Sequence, residues 1–198
     1  ATVFVHDTIS PTMAAQDITL YLSAAGNVAV SAAEVDNGSF DNCEVELSLS
    51  VSGFGCDDLG ENPVTLSGVD PSGNSSSAIG TVTVMDTISP IAITAPFTVS
   101  LDASGNGNMS ASDIDGGSYD VCGAVTFSAS QTSFACADLG DNLVTLTVTD
   151  GSGNQSTATA TVTVIDEVSP IAVGQDLTVY LDENGFASVS ADEVNDGS

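Results

Sequence analysis

Two kinds of side chain in this 198-residue sequence could do chemistry, and both recur at a fixed interval. The first kind is cysteine. Cys43 and Cys56 are followed about eighty residues later by Cys122 and Cys136. Four thiols allow three pairings, and repeat equivalence favours Cys43 with Cys56 and Cys122 with Cys136, since each unit must then fold beside any neighbour. Closing a loop of about 14 residues stabilises a small domain by roughly 3 kcal/mol in the chain-entropy picture. The rival reading, zinc, lacks paired C-x-x-C or C/H spacing. Disulfides place the chain in an oxidising, extracellular setting.

The second kind is carboxylate. Glu34, Asp36 and Asp41 lie in "EVDNGSFDNC" (34–43), and Asp113, Asp115 and Asp120 lie at the same places in "DIDGGSYDVC" (113–122). Acid groups at alternate positions before glycine resemble half of a calcium loop, because a hard cation takes six to eight oxygens from a flexible backbone. Calcium is therefore the candidate cofactor, against the plainer reading of a solvated turn whose acids cap backbone donors. A second, weaker grouping sets Asp86 at a repeat junction with Asp57, Asp58 or Asp138. Asp70 and Asp150, in "DPSGN" and "DGSGN", are read as turn formers.

The charge excludes whole classes of function. There are 27 acidic residues, no lysine or arginine and one histidine, for a net charge of -27. Every Lys or Arg ion pair is removed. Nucleic acid and anionic membrane surfaces would be repelled, so neither is an expected partner. Two carboxylates about 10 Å apart in water repel by only about 0.4 kcal/mol, which a fold survives but which favours extended shapes and bound cations. With 42% hydrophobic residues and scattered acids, the chain is a folded one. No stretch approaches the roughly 18 apolar residues of a membrane span.

Catalysis finds little to work with. No Ser-His-Asp set repeats, no glycine loop cradles phosphate, and no basic group faces a developing anion. His6 is replaced by Met85 and Ile165 in the other copies. A carboxylate pair for glycoside hydrolysis is the one catalytic arrangement left open. The expectation is that the chain is not an enzyme.

The elements that must position these residues follow from the repeat itself. Residues 7–43 match 86–122 and 166–198, and 52–74 match 132–154. The third copy stops just before its cysteine is due, so the chain reads as a piece of something longer. "DITLYL", "NLVTLTVTD" and "STATATVTV" alternate with β-branched residues, and turn signals fall every 8 to 12 residues. That rhythm predicts an all-β chain of tandem immunoglobulin-like sandwiches of about 80 residues. Residues 1–6 are the last strand of a preceding repeat, 7–85 and 86–165 are full repeats, and 166–198 begin a further one. Helical turns in "SAAEV", "SASDI" and "SADEV" would not alter this. Each boundary is a D-x-x-S-P segment that leaves almost no linker, so the repeats are expected to join end to end as a rod. Phe40, Tyr119, Phe54 and Phe134 adjoin the cysteines and are expected to pack in the core beside them.

The linked phrases "DNC", "FGCDDLGENPVTLSGVDPSGN" and "FACADLGDNLVTLTVTDGSGN" resemble hyalin-type repeats. More closely, they resemble the cysteine-bearing repeats of giant Bacteroidota cell-surface adhesins of the SprB gliding-motility type. The resemblance covers nearly the whole chain. It implies a secreted, filamentous cell-surface protein that grips substrata, polysaccharide or other cells, and an O-glycan on Thr8 and Thr87 of the D-T-I triplets. That family often carries a further cysteine where this chain has Ser77 or Ala158.

Three functions are weighed. In the first the repeats are a stalk whose partners are neighbouring repeats of the same chain. In the second each repeat binds a glycan or protein through "DNGSFDNC" or "DGGSYDVC". In the third they are accessory domains of a secreted hydrolase.

Overall fold

The computed structural model describes residues 1–197. In the first repeat the strands are β1 (Ile18–Tyr21), β2 (Asn27–Ala29), β3 (Glu46–Leu49), β4 (Gly53–Gly55), β5 (Gly60–Val69) and β6 (Ser75–Met85), with one helical turn, α1 (Ala32–Val35). One sheet runs β1-β6-β5-β3, and β2 pairs with β4 in the facing layer. The second repeat has β7 (Phe97–Ser100), β8 (Asn106–Asn108), β9 (Thr126–Ala129), β10 (Ser133–Ala135), β11 (Gly140–Thr149) and β12 (Gln155–Ile165). Its sheets run β7-β12-β11-β9 and β8-β10, so the topology repeats strand for strand. Both units are immunoglobulin-like β-sandwiches, as the alternation implies. In the third copy a bridge from Gly174 to Asn195 and a turn α2 (Ala191–Val194) reproduce the start of the pattern.

The long hairpins carry the fold because their sequences alternate for ten paired positions. Val64 and Leu66 on β5 and Val82 and Val84 on β6 point inward, while intervening Thr and Ser residues face out. A parallel partner closes the edge, with β1 on β6 and β7 on β12. Parallel pairing requires the chain to cross between layers, which the stretch from β2 to β5 does.

Each repeat has its own core. The two cores differ by a compensated exchange of volume. A Cβ on Gly68 would lie 2.4 Å from Met13 Sδ and 2.8 Å from Val45. At the equivalent places the second repeat has the buried Val148 and the small Ala92. Gly68→Val is therefore expected to cost about 1–3 kcal/mol by overpacking, and adding Met13→Ala to recover most of it. Urea unfolding of both variants checks this, and a double variant no more stable than the single would refute the exchange.

Candidate functional site

Four of the chemistry-bearing residues, Cys56, Cys122, Asp86 and Asp120, gather where one repeat meets the next. The decisive feature is a disulfide between Cys56 and Cys122, with Cα atoms 5.0 Å apart and a separation of 66 in sequence. Cys43 and Cys136 are free, exposed thiols. The expected pairing within each repeat is thus corrected: the bond joins two repeats. Its physical reason lies in strand direction. β3 runs antiparallel to β5, and after the step at Ser50–Ser52 β4 continues the same way in the other sheet. The residues between Cys43 and Cys56 therefore carry the chain from one end of the sandwich to the other instead of folding it back. Cys43 ends beside Asp7, where its Sγ–H donates to Asp7 Oδ2 at 3.2 Å. Cys56 ends beside Gly26, at the far end of the same repeat.

The socket for the bond is built by local sequence. Cys56 opens a short 3-10 turn (Cys56–Asp58) whose Asp58 Oδ2 accepts the Gly55 N–H at 2.7 Å. The β1–β2 turn ends in Gly26 at φ 73°, and a Cβ there would stand 3.0 Å from Cys56 Sγ and 3.1 Å from Val121. The left-handed conformation and the absent side chain are both required for Val121 to enter. From the second repeat, Ile88 and Cys122 pack against the core of the first.

Polar contacts hold the same joint. Asp86 is only 7% exposed, and its Oδ1 accepts the Ile88 N–H at 2.9 Å. Asn154 Nδ2 donates to the Asp86 carbonyl at 3.2 Å and to Asp150 Oδ2 at 2.8 Å. Asp150 Oδ1 accepts the N–H groups of Ser152 at 2.9 Å and Asn154 at 2.8 Å. The D-x-S-G-N turns are turn formers as read, and they also reach the start of their own repeat: Asn74 likewise donates to the Asp7 carbonyl, at 3.1 Å.

The carboxylates divide into two sets. Glu34 Oε2 accepts the Ser31 amide at 2.8 Å and the Ser31 hydroxyl at 2.7 Å, capping its own helical turn. Asp36 accepts from the Ser39 and Gly38 amides, Asp113 from Ser110 and Asp115 from Ser118. Asp138 Oδ2 accepts the Ala135 N–H at 2.8 Å, and Asp57 is exposed.

The other set converges. Asp86 and Asp120 bring carboxylate oxygens within 4.8 Å of one another and of the Cys122 sulfur, which the disulfide already occupies, and Asp7, Asp41 and Cys43 converge in the same way one repeat earlier. Asp120 Oδ1 accepts the Cys122 N–H at 2.7 Å, while its Oδ2 is enclosed with no hydrogen-bond partner among the described residues. Pairing Asp86 with Asp120 was not anticipated, although repetition of D-T-I-S-P and D-x-C in register was a signal for it. Thr8 and Thr87 are exposed. Phe54 and Phe134 are buried as expected, but Phe40 and Tyr119 are 64% and 54% exposed because their backbones bridge the edge segments at Thr12 and Ile91.

Several acids are held below their ordinary values. The Ser31 amide and hydroxyl do this for Glu34. The Ser39 side chain does it foremost for Asp36, against burial. For Asp115, burial pushes up but is outweighed by the Ser118 side chain and the amides of Ser118 and Gly117. A depressed folded pKa adds stability that is fully present above the unfolded value and lost as pH falls through the folded one. The contribution of these groups should thus be intact at neutral pH. It should fall away below the ordinary values of 4.5 for Glu34 and 3.8 for Asp36 and Asp115. Melting curves from pH 7 to 2 test this, and a loss complete by pH 5 would contradict it.

No protein-family model matches the chain and no curated protein matches it in sequence. Solved structures do resemble it. The human mucin-like protocadherin EC1-2 is 10% identical, covers 79% of this chain and 98% of its own, and gives a TM-score of 0.39. Mouse cadherin-23 EC22-24 is 16% identical over 79% of this chain and 65% of its own, with a TM-score of 0.41. Protocadherin gammaB7 EC3-6 is 16% identical over 91% of this chain and 57% of its own, with a TM-score of 0.39. The chain thus spans less than two thirds of the last two. No helix among the described residues is long and apolar enough to cross a membrane.

Proposed function

We propose that this chain is a length of stalk from a secreted bacterial cell-surface adhesin of the SprB gliding type, in which tandem sandwiches extend an adhesive region away from the cell. The observation that carries the reading is the joint: a disulfide crosses directly from repeat to repeat, and Asn154 ties the last hairpin of a repeat to its first residue. A covalent bond beside a linker of almost no length leaves little freedom between neighbours. Small-angle scattering of the oxidised chain should give an elongated profile; a compact one would sink the proposal.

Calcium fits the same reading. The residues that would hold it at the joint are Asp86 and Asp120, whose enclosed Oδ2 has no hydrogen-bond partner among the described residues. Backbone carbonyls and water would complete the shell, and the ion would offset charge that nothing else in this chain neutralises. A site with a dissociation constant of about 0.1–1 mM adds about 1 kcal/mol at millimolar calcium, or a few degrees of melting temperature. Excess chelator should remove that increment and Asp120→Asn should abolish it. Identical melts in calcium and chelator would discard the ion.

A second reading draws on the exposed aromatics. Phe40 and Tyr119 stand at equivalent places beside the acidic loops, uncovered by their own repeats. Rings so placed suit stacking against sugars. Binding on a glycan array that is lost in Phe40→Ala with Tyr119→Ala would make the repeats contact modules as well as spacers.

A further inference from the structure

Cys43 and Cys136 are free, yet each sits in a place already defined by the one joint that is closed. The socket of that joint consists of Cys56 on its 3-10 turn, the Asp58 cap and the open Cα of Gly26. The same parts recur around Cys136. It opens a 3-10 turn (Cys136–Asp138), Asp138 accepts the Ala135 N–H at 2.8 Å, and Gly105 holds φ 75° with its missing Cβ 2.7 Å from Cys136 Sγ. At Gly26 the gap receives Val121. At Gly105 there is instead a groove of about 460 Å³, lined by Asp102, Gly105, Cys136, Asp166, Val168 and Pro170. Asp166 and Val168 there are the counterparts of Asp86 and Ile88 at the closed joint.

The other half recurs around Cys43. The plug of the closed joint is Asp120-Val121-Cys122, with Asp120 accepting the Cys122 N–H and Asp86 alongside. Asp41-Asn42-Cys43 has the same form: Asp41 Oδ2 accepts the Cys43 N–H at 3.0 Å, and Asp7 stands beside it. Cys43 lines a groove of about 330 Å³ together with Val5, His6 and Asn42.

We infer that Cys136 is the socket half and Cys43 the plug half of further copies of the Cys56–Cys122 joint, each made to bond the complementary cysteine of an adjoining repeat of this same type. The staple then runs from every repeat to the next, never within one. The inference deepens the stalk reading and rests on it only in taking the repeats to continue. Closure removes two protons and two electrons from two thiols and forms one S–S bond. The acceptor is a protein or glutathione disulfide, reduced to two thiols. At Cys43 the hydrogen bond to Asp7, together with the charges of Asp7, Asp41 and Asp70, favours the thiol over the thiolate.

The test is a chain in which residues 86–165 occur twice in succession within the 198-residue sequence, refolded in oxidised glutathione with its disulfides mapped by mass spectrometry. The expected bonds are Cys56–Cys122 and a bond from Cys136 of the first copy to Cys122 of the second, leaving Cys43 and the last Cys136 as thiols. Bonds between Cys122 and Cys136 of one copy, or a free Cys136 in the first copy, would overturn the inference. A second measurement needs no new fold. A peptide of residues 118–125, activated on its cysteine as a 2-thiopyridyl disulfide, should label Cys136 of the unaltered chain about tenfold faster than Cys43. The socket's part is read at Cys136 itself: Gly105→Val should slow its labelling about tenfold and leave that of Cys43 unchanged, and an unchanged rate at Cys136 would count against the socket. Scattering from the duplicated chain separates the two ideas, since a rod without the new bond refutes the staple alone and a compact stapled chain refutes the stalk alone.

Discussion

Reducing the Cys56–Cys122 bond, or replacing both residues by serine, is expected to lower the melting temperature by about 10–15 °C. The bond closes a loop across 66 positions, for which chain entropy gives about 4 kcal/mol. Spread over the roughly 160 residues of two joined repeats, each kcal/mol corresponds to about 2–4 °C. Small sandwiches bury a modest share of their surface, so the staple is a large part of what they have. The location of the bond adds a second signature. Because it ties one repeat to the other, reduction should also separate one calorimetric transition into two. An unchanged melting temperature after verified reduction would show that the joint contributes nothing to stability.

Asp150→Ala should cost the second repeat about 3 kcal/mol, seen as a fall of about 10 °C or more in its melting temperature. The carboxylate is 8% exposed and accepts three hydrogen bonds, from Ser152 N, Asn154 N and Asn154 Nδ2. Removing it leaves those donors inside the turn with no acceptor. Bonds to a charged acceptor are the stronger ones, and an orphaned donor costs its full desolvation. The loss is not confined to the hairpin, since Asn154 is also the side chain that holds the Asp86 carbonyl at the joint. A lowered melting temperature together with faster amide exchange at residues 86–88 is the expected pair of results. A loss of less than about 1 kcal/mol would mean that water replaces the carboxylate without penalty.

The same turn shows what was legible beforehand. Asp70 and Asp150 sit in D-x-S-G-N phrases whose local chemistry dictates a turn, and both make the same contacts to their own Asn and Ser neighbours. Glu34 was less legible. Its spacing to Asp36 looks like part of a cation loop, but a capping box with Ser31 turns the carboxylate back on its own backbone, with Oε2 accepting at 2.7 and 2.8 Å. A sequence written along one dimension cannot distinguish a carboxylate aimed at its own backbone from one aimed across a joint. Phe40 and Tyr119 differ from Phe54 and Phe134 for a similar reason. All four adjoin cysteines, yet only the second pair lies on strands that face a core.

The residues alone determined the all-β character, the eighty-residue period, the long alternating hairpins and the turns between them, because each depends on contacts between near neighbours. Tertiary structure decided which cysteines meet. The stretch from Cys43 to Cys56 is short enough to close on itself, and repeat equivalence made that closure the economical expectation. Only the direction of β3 and β4, set by their pairing with β5 and β2, carries the two sulfurs to opposite ends of the sandwich. From there each can reach only a neighbouring repeat, and the same geometry sets Asp86 beside Asp120.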